Sequence, residues 1–312
     1  VTKRFSASSA AQLMQCPGSA NLELAIPGYV EPKRDEMAGA KGVGTRMHDS
    51  FKPLAHWSMV AVTDLMILME RYAALHWTKR RKLLEDITEV EIQDEWMDMF
   101  QLTSRDFTEI EQYVRWIVEL DGEERLPPLM LNYVVQTLDQ LGQLMAEPAV
   151  SSLHIYAEVS INCLWLTSKP ATTPDIVFAS NERLDVVDYK TGRIPVSPVD
   201  NFQLMFYAYS ALQEYYSLIE QADVKKVVMH IWQPRNHDKW ECSVEHITEW
   251  AKLAFESDLK IIDKDLTLRP GSACTFCPAN PHSRGDKAPP FCPAMMGKLY
   301  PDTTDEEGIL DL

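Results

Sequence analysis

Residues 173–193 read TPDIVFASNERLDVVDYKTGR, two short apolar runs flanked by acidic residues and followed by a lysine. DIVFA and LDVVDYK have strand composition, and Ser180-Asn181-Glu182-Arg183 between them has turn composition. A tight hairpin centred on Asn181-Glu182 sets Asp175 directly opposite Asp188. Side chains alternate along a strand, so Lys190 shares the face of Asp188. Opposed residues hold their Cβ atoms about 4.5–5.5 Å apart, and like charges there are destabilising. A shared proton, Lys190 or a divalent cation must offset that repulsion. Carboxylates with water ligands suit Mg²⁺ or Mn²⁺. Glu158, on the preceding strand-like run HIYAEVSINCLWL, is placed to add a third oxygen. The competing reading is an exposed polar sheet face on which Lys190 is a surface ion-pair partner, since Asp-x-Lys is a common tripeptide.

The cysteines form a second group with chemical potential. Cys274-x-x-Cys277 is followed by Cys292-Pro293, and Cys16-Pro17 lies far upstream. In a chain expected to be cytosolic, metal binding is the better reading than a disulfide framework. The remaining two, Cys163 and Cys242, sit in strand-like runs and read as buried small apolar residues.

The elements that must position these groups change texture near Ser151. Before it, residues 6–25 read as a short helix capped by Ser6 or Ser8 and interrupted at Cys16-Pro17-Gly18. From Thr45 to about Ala146 apolar residues recur three and four apart, as in LNYVVQTLDQLGQLM, which predicts a largely helical region. After it, the order is three strands, the helix DNFQLMFYAYSALQEYYSLIE, the strand KKVVMHIWQP and the helix VEHITEWAKLAFESDLKIID. That pattern predicts an α/β fold, a central mixed sheet flanked by helices. The expected divisions are an N-terminal segment 1–44, a helical region 45–150, a core 151–268 and a cysteine-bearing C-terminal segment 269–312 with an acidic tail.

Composition narrows the partners. Acidic residues outnumber basic ones 46 to 30, a net charge of −16. A surface that tracks phosphates indiscriminately should be basic. Any nucleic-acid contact must therefore use local patches such as Lys3/Arg4, Lys33/Arg34, Lys41/Arg46 or the run Lys79-Arg80-Arg81-Lys82, or engage phosphates through metal ions. The run has an ordinary alternative as a solvated helix face. The most apolar stretch, Ser58 to Leu68, contains Asp64 and is too short for a membrane span. The first residues lack the apolar core of a signal peptide, so a cytoplasmic location, bacterial or in a phage-infected cell, is expected.

Pro174-Asp175 followed by Asp188-Tyr189-Lys190 resembles the signature of the PD-(D/E)XK nuclease superfamily. Asp188-Tyr189-Lys190-Thr191-Gly192, the pair Gln203 and Tyr207, and the upstream Gly44-Thr45-Arg46-Met47-His48 resemble its RecB-like exonuclease branch. The N-terminal SASSAAQLMQCPGSANL is similar to phage and prophage members that carry an iron–sulfur cluster. The resemblance implies a restriction-endonuclease-like core and metal-assisted DNA hydrolysis at ends or in single strands, serving recombination, repair or phage DNA metabolism. It implies that Asp175 and Asp188 hold Mg²⁺ or Mn²⁺ with Glu158 and His48, and that Lys190 activates the attacking water and stabilises developing charge. Gln203 and Tyr207, one helical turn apart, would line the site or touch DNA. Where the branch often has an acid four residues after the upstream histidine, this chain has Lys52.

The same resemblance implies a [4Fe–4S] cluster on Cys16, Cys274, Cys277 and Cys292, a staple between distant segments. The gap between Cys277 and Cys292 is longer than usual there, and His282 sits near the customary third position. Zn²⁺ held by Cys16, Cys274, Cys277 and either Cys292 or His282 is the alternative. Two other function classes remain open at this level. One is a catalytically inactive DNA-binding or assembly subunit that keeps the fold; the other is a metal-bound protein-interaction module.

Overall fold

The computed structural model describes residues 5–26, 67, 128–147, 154–192, 194–216, 224–234, 236–280 and 292–295. His48, Lys52, His282, the basic run at 79–82 and most of the expected helical region lie outside the described residues.

The centre is a five-stranded mixed sheet. Its strands are β1 (His154–Ala157), β4 (Ile176–Ala179), β5 (Arg183–Tyr189), β6 (Lys226–Gln233) and β7 (Asn236–Ser243), in that spatial order. Neighbours are antiparallel except β5 and β6, which run parallel. A parallel pair needs a crossover, and α4 (Phe202–Tyr215) supplies it. Asn201 caps α4 by accepting from the amides of Gln203 and Leu204, at 3.1 and 3.2 Å. Ser243 caps α5 (Val244–Ile262) by accepting from the His246 amide.

Side-chain alternation sorts the sheet into two faces. Val177, Ala179, Leu184, Val186, Val227, Met229 and Ile231 pack with Leu204, Phe206 and Ala208 of α4 and with Ile247, Ala251 and Ala254 of α5. Phe5 and Leu13 join this core from the N-terminal segment, where α1 (Ala10–Gln15) and α2 (Leu22–Ala25) alternate with 3₁₀ turns. Each of the valine, leucine, isoleucine, phenylalanine and methionine side chains here, fully buried, contributes about 1.5–3 kcal/mol of transfer free energy. The opposite face carries Phe178, Val187 and Trp232 together with a buried polar group, Arg183, Asp185 and His230. His230 Nε2 lies 2.8 Å from Asp185 Oδ1, and Arg183 binds both Asp185 and Glu147. Helix α3 (Pro128–Ala146) reaches this face through Tyr133, which is fully buried.

The α/β class and the mixed sheet agree with the sequence expectation, and two details differ. HIYAEVSINCLWL does not run as one strand. It breaks at Glu158, whose φ is 53°, and Ile161–Asn162 (β2) instead pairs with Ala171–Thr172 (β3) in a separate ribbon. The sequence expectation also lacks β7. That edge strand is polar, NHDKWECS, with only one half-buried side, so its apolar signal is weak. Cys163 is fully buried as expected, while Cys242 in β7 is only half-buried. Among the described residues, no helix is long and apolar enough to cross a membrane.

Candidate active site

The β4–β5 hairpin has the register derived from its turn: Ile176 pairs with Val187, and Ala179 with Leu184. One step beyond Ile176, Asp175 stands opposite Asp188. Both are almost fully buried, at 6% and 2% exposure. On the other side, Ala157 pairs with Ile176, and the Glu158 amide donates to the Asp175 carbonyl at 2.9 Å. That continues the ladder by one rung, so Glu158, Asp175 and Asp188 lie across three adjacent strand ends. The positive φ of Glu158 is uncommon for a residue with a side chain, and such backbone strain clusters at functional sites.

Lys190 turns back along its own strand, its Nζ 2.6 Å from Asp188 Oδ2. The first turn of α4 closes the arrangement. Gln203 accepts from Lys190 Nζ through Oε1 at 3.0 Å. Its Nε2 donates to Asp188 Oδ1 at 3.1 Å and to the Tyr207 hydroxyl at 2.8 Å. One amide thus spans the acid, the base and the phenol. The Asp175 carboxylate accepts from the Tyr189 amide. Burial pushes the Tyr207 phenol up. The charges of Asp188, Asp175 and Glu158 push it the same way, against the opposing hydrogen bond with Gln203. Of the three, Asp188 is joined to this hydroxyl through Gln203, which bonds both.

Six of the seven candidate residues are thus brought together, and His48 is the one outside the described residues. Among the described residues, no group of three or more His, Cys, Asp or Glu side chains is already arranged to hold a metal ion. Asp188 is engaged by Lys190 and Gln203, and Asp175 by a backbone amide, so the oxygens suited to a divalent cation face protein donors.

Two neighbours of the site escaped the sequence reading. Tyr133 donates to the Trp232 carbonyl at 2.7 Å, and that carbonyl also accepts from the Lys190 amide at 2.8 Å. Burial and the Asp175 and Asp188 charges hold the Tyr133 phenol well above its ordinary range. Gln233, 1% exposed, binds the loop that follows Lys190. Tyr133 is one aromatic in an apolar helix and carries no signal of its own. Gln233 could have been noticed as a lone amide closing an apolar strand.

The cysteine group forms a second locus. Cys16, Cys274, Cys277 and Cys292 line one cavity together with Gln12, Leu22 and Arg269. The first comes from the N-terminal segment and the others from beyond α5. Gly18 permits this approach: a Cβ there would lie 2.5 Å from the Leu266 carbonyl oxygen, and the Gly18 amide donates to Thr267. N–H groups point at three of the sulfurs. The Arg269 amide donates to Cys16 and the Gly271 amide to Cys274, each at 3.3 Å, and Gln12 Nε2 donates to Cys277 at 3.6 Å. Burial pushes the Cys277 and Cys292 thiols up, and the neighbouring cysteines push further in the same direction. None of the six cysteines is in a disulfide.

A family model described as "Protein of unknown function (DUF2800)" matches residues 3–291. The chain belongs to the DUF2800 family. The match includes Cys16, both carboxylate strands, α4 and the Cys274-x-x-Cys277 pair, and stops one residue before Cys292. Among solved structures, one titled "Crystal structure of SSO0001" is similar at 15% identity. The match covers 52% of this DUF2800 chain and 76% of the other, with a TM-score of 0.28, too loose a likeness to transfer anything.

Proposed function

We propose that this DUF2800 protein is a divalent-metal-dependent deoxyribonuclease with a restriction-endonuclease-like core, acting as an exonuclease on DNA ends or single strands. The observation that carries the reading is the Gln203 bridge. A single side chain from the start of α4 fixes Lys190 against Asp188 while Asp175 and Glu158 stand on the adjoining strand ends. That is an acid–acid–lysine set with its lysine held in place, an arrangement suited to metal-assisted phosphodiester hydrolysis.

Glu158, Asp175 and Asp188, with His48, would hold Mg²⁺ or Mn²⁺. When bound, such an ion polarises a phosphoryl oxygen and lowers the pKa of water. The chain's own groups do the rest. Lys190 presents a positive charge toward the phosphate and orients water, Gln203 keeps its ammonium in place, and Tyr207 supports Gln203 from one turn further along α4. With a net charge of −16, DNA is held through local basic patches and the metal site rather than by the whole surface.

We further assign Cys16, Cys274, Cys277 and Cys292 to a [4Fe–4S] cluster, with structural Zn²⁺ as the alternative. Four sulfurs match the usual ligand complement, and the N–H donors directed at three of them suit thiolates. The group would staple the N-terminal segment to the region beyond α5. Visible absorption with iron and sulfide analysis of anaerobically purified protein tests this; a colourless protein containing zinc rejects the cluster.

The activity is tested by incubating the same preparation with end-labelled linear and circular DNA and Mn²⁺. Degradation of linear DNA that Asp188→Ala and Lys190→Ala each abolish is expected. Full cleavage by both variants would remove the site assignment.

A further inference from the structure

The loop 191–200 joins the strand that carries Asp188 and Lys190 to the helix that carries Gln203 and Tyr207. Its geometry therefore sets how those two pairs meet. Gln233, the last residue of β6, spends its whole amide on this loop. Nε2 donates to the Gly192 carbonyl at 2.6 Å and to the Ile194 carbonyl at 2.8 Å, while Oε1 accepts from the Val196 amide at 3.1 Å. From the first residue of β7, Asn236 Nδ2 donates to the Val196 carbonyl at 3.3 Å. Both backbone groups of Val196 are thus bound by side chains of the β6–β7 turn. The far half of the loop is tied to α4 by Asn201, which donates to the Ser197 carbonyl at 3.0 Å.

We propose that Gln233 is a positioning residue for the nuclease reaction, locking the Gly192–Val196 loop so that Lys190 and Gln203 stay in contact across it. This rests on the nuclease reading above. Three features separate it from ordinary loop packing. First, Gln233 is almost fully buried, so its own amide is satisfied by these three hydrogen bonds rather than by solvent. Second, the adjacent residue, Trp232, receives the Lys190 amide, so β6 grips the lysine strand and the loop at consecutive positions. Third, apart from its chain neighbours, a Cβ at Gly192 would meet no atom of the described residues within 4 Å. The loop is therefore held on its Gln233 side, while Gly192 itself is exposed.

Loss of the clamp should act on the chemical step. Lys190 and Gln203 stabilise charge that develops in the transition state, and misplacing such groups by about 1 Å can cost on the order of 10²-fold in rate. Gln233→Ala should lower kcat about 10- to 100-fold with little change in KM. Gln233→Glu keeps the acceptor for Val196 but sets a carboxylate against two carbonyl oxygens. Protonation restores one donor, and burial raises the pH at which that occurs. The kcat of Gln233→Glu relative to wild type should therefore recover as pH falls from roughly 8 to 6.

The experiment measures kcat and KM for Mn²⁺-dependent degradation of end-labelled linear DNA by the full chain and both variants across that pH range, with melting curves for each. A fall in kcat at constant KM in either folded variant, with acid recovery in Gln233→Glu, supports the role. If wild type cleaves and both folded variants keep its kcat and pH profile, the positioning role is wrong while the nuclease reading stands. If the wild-type chain shows no Mn²⁺-dependent cleavage, both fall together.

Discussion

Gln203→Ala is the sharpest perturbation of the proposed site, because it removes one amide and three contacts at once. Two of these contacts are to charged partners, Lys190 and Asp188, and one is to the Tyr207 hydroxyl. Hydrogen bonds to charged groups contribute about 1.5–3 kcal/mol each and neutral ones about 1 kcal/mol. The Lys190 ammonium is 26% exposed and regains water, whereas the Asp188 side chain is 3% exposed and does not. The unrecovered loss is therefore about 2–3 kcal/mol. Relief of side-chain entropy and the higher helix propensity of alanine return about 1 kcal/mol. The net cost is about 1–2 kcal/mol, a fall in Tm of a few degrees for a protein of this size. Cleavage should fall much further, about 10²-fold in kcat, since the lysine keeps only its ion pair to Asp188 and loses the amide that fixes its direction.

Gln203→Glu adds a sign test. Its second oxygen would face Asp188 Oδ1 across the 3.1 Å now spanned by an N–H···O bond, so like charges meet in a buried setting. That variant should melt below Gln203→Ala without metal, and Mn²⁺ should raise its Tm more than it raises that of wild type. Melting curves with and without Mn²⁺, read beside DNA cleavage, make the check. If Gln203→Ala matches wild type in both stability and cleavage, the bridge is incidental and the reasoning built on it fails.

Other outcomes follow from neighbouring groups. Asp185→Ala leaves the Arg183 and His230 side chains, 8% and 7% exposed, without their shared carboxylate, and should cost about 3–5 kcal/mol by urea titration without changing the pH dependence of cleavage. His237 is pushed down to about 4 by burial, against a raising influence from Asp139. Its folded value lies below its unfolded one, so its stabilising contribution is complete above about pH 6.5. That contribution declines as pH falls toward 4, by a total on the order of 3 kcal/mol. His237→Phe should lack this share of the acid loss when Tm is followed against pH. Cys274→Ala should abolish visible absorption, if the cluster assignment holds, and lower Tm sharply, because the staple closes a loop of more than 250 residues.

Hairpin register was legible because three independent signals coincide at the β4–β5 turn: the apolar run on each side, the polar turn between them, and the need to keep Val177 and Val186 on the core face. A slip of one residue would have reversed every one of those side chains. The helix pair Gln203 and Tyr207 was legible as a spacing. Its function as a bridge was not, since that depends on where the loop 191–200 delivers the start of α4. Glu158 lies one residue past the end of β1, beside the strand its sequence run suggests, but its left-handed backbone has no mark in the residues around it. Gln233 is noticeable only as a lone amide closing an apolar strand; its clamp on the loop was not legible, because the partners are backbone groups, which leave no trace in side-chain identity. The cysteines were legible through their spacing and resemblance. Their convergence depends on Gly18, whose lack of a side chain lets Cys16 come beside Thr267 and Arg269.

The position of the site follows from the one parallel pairing in the sheet. Because β5 and β6 run the same way, the chain must leave β5 at Tyr189, cross through α4 and return to β6. Open α/β sheets collect their functional groups at the carboxyl ends of such strands, where loops diverge. Here Asp188 and Lys190 stand at that end, and the start of α4 comes back toward them bearing Gln203. The partial positive charge of a helix start favours a carboxylate or a phosphate nearby. β4, antiparallel to β5, brings Asp175 to the same edge at its start, and β1, antiparallel to β4 and so running the same way as β5, brings Glu158 there at its end. The acidic residues and the lysine are thus assembled by strand order, and their fine placement is left to amide side chains. Gln203 acts from the helix and Gln233 from β6, each carrying both donors and an acceptor on one rigid plane. A carboxylate or an ammonium at either position would bind only one kind of partner. That is why the arrangement should be more sensitive to Gln→Glu than to loss of comparable apolar bulk nearby.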